Sequence, residues 1–516
     1  MKAYPSIFND VIGPVMRGPS SSHCAAALRI GRMARDLMNA EINEAEISYG
    51  TEGSLVTTHR SQGSDMGLYS GFLGFDADSE ELLRYEENIA KAGIAINVSY
   101  KPFGMVHPNT YKINLRNGSF NCSITALSTG GGMVEITGIE DAEVSIKGDY
   151  YETIIFIAKE DIDLISQLAG LLNPDYLFVR KGNRIFINIK TVRPVEDEEI
   201  ELIKKNSNVN YIARINPVLP VRARKGIELP FTSCAGMEKY NTGKNLALWQ
   251  LALEYESARG GITAKDVLGE MRRIVRIMEQ SVQTGLKGTE YGDRLLPSQS
   301  PNFKKLMEEK KLLGDGLQNL ITLYTSAIME VKSSMGIIVA APTAGSCGSI
   351  AGPVIAASHF LNRPEDETVK AMLAAGLIGI FILNKSTFAA EEAGCQAECG
   401  SGAGMAAAAL AYLAGGSLEQ SLAASSLALQ NSFGMTCDPI AGRVEAPCLG
   451  KNVMAAVNAL ACANMAIAGY KHLIPLDEVI EAFDSAGRSL PRELRCTALG
   501  GLSVTDSSKK IEKELE

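Results

Sequence analysis

The chain changes character near residue 235, and that change bounds what it can fold into. Before it, short runs such as "AEISYG", "AINVSY", "TYKINL" and "VEITGI" alternate with helical stretches and with turns rich in Ser, Gly, Pro and Asn. Apolar residues at every second position build a half-buried strand, and at every third or fourth they build a helix. After it, Ala, Gly, Leu and Met dominate and β-branched runs thin out. Helical spacing recurs over 246–256, 264–284, 314–333, 365–383, 417–430, 453–470 and 476–486. Small residues let helix axes approach closely, so this half predicts an all-α domain with a dense, partly polar centre.

Four segments follow: an α+β domain over 1–145, a small domain over 150–216, a linker over 217–234 and the all-α domain over 235–510. In the small domain "TIIFIA" reads as a strand and "DIDLISQLAGLL" as a helix. "DYLFVR", "KGN" and "RIFINI" read as a hairpin, "EDEEIELIKKN" as a second helix and "VNYIARI" as a last strand. The order βαββαβ is that of a ferredoxin-like unit. In size and place this segment resembles an ACT domain, a module that often senses amino acids. Many such domains have a glycine in the turn before the first helix; "AKEDIDLI" has none, which favours a structural role.

The 516 residues exceed a single ordinary core, so several domains are expected. A net charge of −9 argues against nucleic-acid binding, which calls for a basic stripe. The longest apolar stretch, 371–383, falls short of the roughly 20 residues that span a bilayer and reads as a buried helix. The opening "MKAYPSIFND" has no apolar run of the kind an export signal carries. A reducing cytoplasm is therefore the expected compartment, where the ten cysteines are core residues, redox centres or metal ligands rather than disulfides.

Three of those cysteines stand in turn-like settings. Cys395 opens the glycine-rich "GCQAECGSGAG", while Cys437 and Cys448 end a loop broken by Asp438, Pro439, Gly442 and Pro447. Core cysteines sit instead inside apolar periodic runs, as Cys462 does in "NALACANMA". A structural zinc site commonly uses CxxC pairs, and the chain contains none. A ferredoxin-type cluster needs four closely spaced cysteines, also absent. Three thiols with one open coordination position would suit a catalytic [4Fe–4S] cluster.

The stretches "GCQAECGSGAGMAAAA", "CDPIAGRVEAPC" and "APTAGSCGSIAGPV" resemble the α, catalytic part of the iron–sulfur-dependent bacterial L-serine dehydratases. "GPSSSH", "GSLVTT", "HPNTYKI" and "STGGGMVEI" resemble their β part. The resemblance covers nearly the whole chain and implies both parts fused in one polypeptide, in the order β, ACT-like, α. It implies a lyase that converts L-serine to pyruvate and ammonia in amino-acid degradation and gluconeogenesis. Cys395, Cys437 and Cys448 match the three ligands of a [4Fe–4S] cluster whose open iron acts as a Lewis acid on the substrate hydroxyl. Cys399 and Cys347 match no ligand. Some members fill the open iron with a C-terminal cysteine; this chain ends "SSKKIEKELE", and Cys496 is the nearest candidate. The partner implied is a small amino acid, with no nucleic acid or membrane, and a homodimer or larger homo-oligomer is expected.

Loss of water from serine needs a stabilised leaving oxygen and a base for the Cα proton. Ser20, Ser21 and Ser22 precede an amphipathic helix, whose free N–H groups and dipole favour a carboxylate; the alternative is that one serine is a plain helix cap. Ser128, Gly130 and Gly131 form either a second anion nest or a tight turn. Ser54, Thr58 and Asn109 complete the substrate-binding set that the resemblance implies. His23 is the first candidate for acid–base work. His107, beside Asn109 and Thr110, reads as pocket-shaping, and His359 and His472 as structural. Lys385 reads as a salt-bridged structural lysine near Glu391 and Glu392.

The family stretch runs roughly T-x-x-G-H-G-T-D, with its histidine a candidate catalytic group. Here "THRSQGSD" puts Gln62 in that place, and glutamine is no base at neutral pH. His59, three residues earlier, is the substitute, and Asp65 keeps its position. This departure keeps open L-cysteine desulfhydration or dehydration of another β-hydroxy amino acid such as threonine. From a different class, an amino-acid-sensing redox regulator stays open as well.

Overall fold

The computed structural model describes residues 4–104, 107–314 and 316–515. It is a mixed α/β, multidomain structure with a helical C-terminal region. The chain forms two compact units: one is Ser22–Ile227, and the other combines the described residues of Met1–Ser21 and Glu228–Glu516.

The Ser22–Ile227 unit contains two sheets. The six-stranded sheet runs, edge to edge, Ala95–Lys101, Glu44–Gly50, Thr110–Arg116, Asn121–Gly130, Met133–Ile139 and Ala142–Ile146. Its first pair is parallel and the rest antiparallel. Period-two burial turns Ala45, Ile47 and Tyr49, with Tyr111, Ile113 and Leu115, into one core. The helices Ala26–Leu37 and Ser64–Phe72 cover that core at very close approach. A Cβ on Gly67 would lie 2.1 Å from the Cys24 carbonyl oxygen, and one on Gly31 would lie 2.4 Å from that of Leu68.

The second sheet is antiparallel, in the order Val209–Ile215, Tyr151–Ile157, Ile185–Thr191, Tyr176–Lys181. Helices Ile162–Leu172 and Asp197–Lys204 complete a βαββαβ element order with spatial strand order 4-1-3-2. One face of each strand packs on those helices through Ile155, Ile187, Ile189, Leu164, Leu168 and Ile203. The other face, with Ile154, Phe156 and Phe186, joins the core of the six-stranded sheet. Asp161 caps the first helix, its carboxylate accepting from Leu164 N–H at 2.9 Å, and Asn173 ends it in the left-handed conformation at φ 43°.

The other unit is a bundle of helices around Glu365–Lys385, which is buried almost throughout from Thr368 to Ile382. Leu248–Gly260, Ala264–Lys287, Gly348–Phe360 and Ser401–Leu413 pack on it, and Leu418–Gln430 and Cys448–Ile467 pack on Ser401–Leu413 and on one another. The only strand pairing among the described residues of this unit joins Val15–Met16 to Ile338–Val339, antiparallel. It draws the N-terminal segment into the bundle, where Glu256 accepts from Ile7 N–H at 2.8 Å and from the Ser6 hydroxyl.

Candidate active site

In the helical unit, three loops converge at the cysteines. Gly394, at φ +71°, turns the chain out of Ala390–Ala393 and presents Cys395 ahead of the short Gln396–Gly400 turn. The buried Gln396 side chain donates to Phe483 O at 2.5 Å and accepts from Gly434 N–H at 2.8 Å, and its own N–H reaches Met435 O at 3.0 Å. That staple carries the 434–437 segment across to Cys395. Cys437 N–H donates to Leu494 O at 2.8 Å, and Cys496 N–H donates back to Cys437 O at 3.3 Å. Arg495 fixes this second crossing, donating to Leu490 O, Arg488 O and Glu392 O at 2.6, 2.7 and 3.3 Å.

Cys395, Cys437 and Cys496 consequently form one cluster with Ala390 and Met435. The neighbouring Cys395 and Cys496 thiols, with burial, push the Cys437 thiol well above the ordinary range. Cys448, the first residue of Cys448–Ile467, is buried within electrostatic reach of Cys395 and Cys496, and burial pushes it up too. The hydrogen bond from Cys437 lowers Cys496, but burial and the nearby Glu391 and Glu398 carboxylates outweigh it. Cys399 is buried beside the Asn452 amide at 3.6 Å. Cys347 packs on the Met329 sulfur at 3.7 Å.

The loop between Cys437 and Cys448 is held from several sides. Lys451 Nζ donates to Thr436 O and Asp438 Oδ1, both at 2.6 Å, and Leu502 N–H donates to Asp438 Oδ2 at 3.0 Å. Glu445 accepts from Leu295 and Leu296 N–H at 2.8 and 2.7 Å. Glu398 is partly buried and bonded by the Thr343 hydroxyl at 2.6 Å; loss of solvent raises its carboxyl to about 7. Among the described residues, no three His, Cys, Asp or Glu side chains are arranged to hold a single metal ion. The donors that gather here are soft, buried sulfurs, the chemistry that suits an iron–sulfur cluster and ill suits calcium or magnesium.

Ser20 and Ser21 are buried in the same unit, and the Ser21 hydroxyl accepts from Ala344 N–H at 3.2 Å. Lys385 is salt-bridged, but to Glu481 and Asp477 on helix Leu476–Arg488 rather than to Glu391 and Glu392. His359 faces Tyr324 OH at 3.1 Å and Glu279 at 3.9 Å.

In the Ser22–Ile227 unit, six of the residues singled out from sequence close a ring of hydrogen bonds. The His23 Nε2 lies 3.0 Å from Thr58 Oγ1, and Thr58 donates to Ser54 O at 2.7 Å. The Ser54 hydroxyl donates to Asn109 Oδ1. Asn109 O accepts from Ser128 N–H at 3.1 Å, and the Ser128 hydroxyl donates to Ser22 O at 2.6 Å. The ring fixes the His23 tautomer. Thr58 has spent its proton on Ser54, so it accepts from His23 Nε2–H, and Nδ1 is left to accept from the Ser22 hydroxyl at 3.2 Å. Burial lowers His23 to about 4, so the imidazole is neutral near pH 7. Gly130 and Gly131, both at positive φ, make the tight turn between Asn121–Gly130 and Met133–Ile139, and Arg29 donates to Gly132 O at 2.6 Å beside it.

His59 has the opposite tautomer. Its Nδ1 lies 2.8 Å from both Asp65 oxygens and so carries the proton; Nε2 faces Tyr100 OH at 2.8 Å. Gln62 is buried nearby in the same turn, its N–H donating to Thr58 O at 2.9 Å. His107 Nδ1 accepts from Asn109 N–H at 3.1 Å. Tyr100 escaped the sequence reading because no local pattern links an edge strand to residue 59.

Known proteins resemble this chain most over the helical region. A family model described as "Serine dehydratase alpha chain" matches residues 243–503. The protein of Bacillus subtilis (strain 168) named "Probable L-serine dehydratase, alpha chain" is 38% identical over 253 residues, 49% of this chain and 84% of that protein. "L-serine dehydratase, alpha chain" of Peptoniphilus asaccharolyticus is 36% identical over 276 residues, 52% of this chain and 93% of that protein. "L-serine dehydratase 1" of Escherichia coli (strain K12) is 29% identical over 285 residues, 54% of this chain and 62% of that protein. Among the described residues, no helix is long and apolar enough to cross a membrane.

Proposed function

Because this chain belongs to the serine dehydratase alpha-chain family, we propose that it is an iron–sulfur-dependent L-serine ammonia-lyase with β-like and α parts fused. Its reaction is loss of water from L-serine to an enamine, which tautomerises and hydrolyses to pyruvate and ammonia. Cys395, Cys437 and Cys448 would hold a [4Fe–4S] cluster. When bound, such a cluster supplies Lewis acidity that makes a hydroxyl a better leaving group. The observation that carries the reading is the meeting of the buried Cys395 and Cys437 with the partly buried Cys496 in one cluster, on segments within the family match.

The chain's own residues supply the rest. The Gln396 staple and the Lys451–Asp438 pair hold the cysteine loops in register. His59, oriented by Asp65, presents an unprotonated Nε2 for acid–base work in the place of the family histidine. His23, neutral and held in one tautomer, orients the serine-rich turn through Ser22 and Thr58. Within the Ser22–Ile227 unit, Ser22, Ser54, Thr58, Asn109, Ser128, Gly130 and Gly131 are the substrate-holding set of this reading. The βαββαβ segment is read as an ACT-like structural module.

Anaerobic purification followed by iron and sulfide analysis, with pyruvate formation from L-serine before and after exposure to air, tests the reading. A brown protein that makes pyruvate and loses the activity in air supports it. Full activity without iron rejects it. Gln62 in the family's histidine position favours one second reading, L-cysteine desulfhydration, and hydrogen sulfide release from L-cysteine in the same anaerobic assay separates the two.

A further inference from the structure

Lys332 lies in the last turn of helix Leu317–Ser333 and is 0% exposed. Its ammonium donates to Val444 O, in the loop between Cys437 and Cys448. Among the described residues it makes no ion pair. The buried lysine of the other unit is treated differently: Lys190, 3% exposed, meets Glu152 at 2.6 Å. An ammonium taken out of water costs far more than one carbonyl returns, unless a counter-charge meets it.

The carboxylates around Lys332 are committed elsewhere. Glu330, two residues earlier in the same helix, accepts from Gln299 and Ser300 N–H, both at 3.0 Å. Glu445, next to Val444, accepts from Leu295 and Leu296 N–H and faces Arg294 at 3.9 Å. Glu398 is bonded by the Thr343 hydroxyl and feels Lys332 only at a distance. Nor is the ammonium spent on the carbonyls of its own helix, the usual duty of a lysine in a last turn. Sulfur is close instead. Burial raises the Cys347 and Cys448 thiols, and Lys332 pulls both back down.

We infer that Lys332 is the built-in counter-ion of the anionic group that the cysteine loops hold, offsetting the charge of a thiolate-bound iron–sulfur cluster and setting its potential. The inference rests on the cluster reading above and deepens it, because it gives a role to a residue that is not a ligand.

The charges balance on that assignment. A thiol gives up its proton when it binds iron, and a [4Fe–4S] core held by three thiolates carries net negative charge. A fixed cation in dry surroundings favours that state, since attraction there is weakly screened. No bond forms or breaks at Lys332; it acts through its field alone. The same field favours the more negative, reduced form of a cluster and so raises its potential.

Lys332→Met tests this, because it keeps the length of the side chain and removes the charge. In the metal-free full chain, urea unfolding is expected to find the variant at least as stable as the wild type, since an uncompensated buried charge has gone. A lysine that served only to tie its helix to Val444 O would leave the variant less stable. In the anaerobically loaded full chain, the variant is expected to lose iron to a chelator about 10-fold faster or more. Its cluster potential, followed by electron paramagnetic resonance in a redox titration, is expected to move lower. Two outcomes overturn the inference: a metal-free variant clearly less stable than the wild type, or a loaded variant with wild-type iron release and wild-type potential. If the second comes with a raised KM for L-serine, Lys332 serves the substrate carboxylate instead. A wild-type chain that takes up no iron and sulfide defeats the cluster reading itself, and the inference with it. A loaded wild type with either overturning outcome defeats the inference alone.

Discussion

Cys395 and Cys437 pack in one cluster although two helices, Ser401–Leu413 and Leu418–Gln430, separate them in the chain. The helices pack as an antiparallel return that brings the chain back beside its starting point. Cys437 then meets Cys496 by the same logic over a longer excursion. Three distant segments thus deliver sulfur to one buried place, which core packing alone does not require.

If three of these thiols hold the proposed cluster, Cys395→Ser, Cys437→Ser and Cys448→Ser each lose iron and sulfide, and pyruvate formation falls about 100-fold or more. Cys496→Ser keeps its iron. Metal analysis of the four variants, purified without oxygen, reads the ligand set directly. Loss of iron from Cys496→Ser as complete as from the others would make it a fourth ligand.

Gln396 makes the staple beside Cys395, and its amide is completely buried. Gln396→Ala leaves Phe483 O and Gly434 N–H to find other partners. The expected loss is about 2–4 kcal/mol of unfolding free energy, measured by urea titration of the metal-free protein. Gln396→Glu keeps one acceptor for Gly434 N–H but sets a carboxylate against the Phe483 carbonyl, so it is expected to rescue little.

Much of this architecture was legible in the sequence, for reasons that differ by segment. The βαββαβ elements showed because alternation, the "KGN" turn and the Asp161 cap are local signals. Helix Gly348–Phe360 did not show, because Gly348, Gly352 and Pro353 read as breakers. Packing explains the glycines: a Cβ on Gly352 would lie 2.2 Å from the Thr325 hydroxyl on Leu317–Ser333. The pairing of Val15–Met16 with Ile338–Val339 is equally invisible to local pattern, since Val15 and Val339 lie 324 residues apart in the chain. In the candidate site, six ring residues were singled out one at a time. Their closure into a circuit, and the place of Tyr100 at the end of the Asp65–His59 line, are tertiary facts.

Two glycines in the Ser22–Ile227 unit predict opposite outcomes for the same change. Gly67 faces the Cys24 carbonyl at a distance no Cβ tolerates, and the obstacle is backbone that has little freedom to yield. Gly67→Ala therefore forces helices Ala26–Leu37 and Ser64–Phe72 apart and costs about 1–3 kcal/mol or more. Gly170 lies within helix Ile162–Leu172 with nothing in contact range. Gly170→Ala removes unfolded-state freedom and gains about 0.5–1 kcal/mol. Thermal unfolding followed by circular dichroism separates the two signs.

His23 predicts a pH dependence of stability whose sign follows from its burial. Its folded value, lowered to about 4, lies below the ordinary 6.5, so the unfolded chain binds the extra proton between those limits. The contribution is fully present above pH 6.5 and is lost as pH falls toward 4, amounting to about 3 kcal/mol over the whole window. His23→Gln keeps a donor for Thr58 and an acceptor for Ser22 but has no proton to gain. Between pH 7.5 and 5.0 the wild type is expected to lose about 2 kcal/mol more unfolding free energy than the variant. Taking the difference between the two proteins cancels every other titrating group, including Glu256 and Glu398, whose raised carboxyls work in the opposite direction. Equal losses in the two proteins would mean that the imidazole is already charged in the folded state, and the tautomer that the Ser22–Thr58 ring imposes would be wrong.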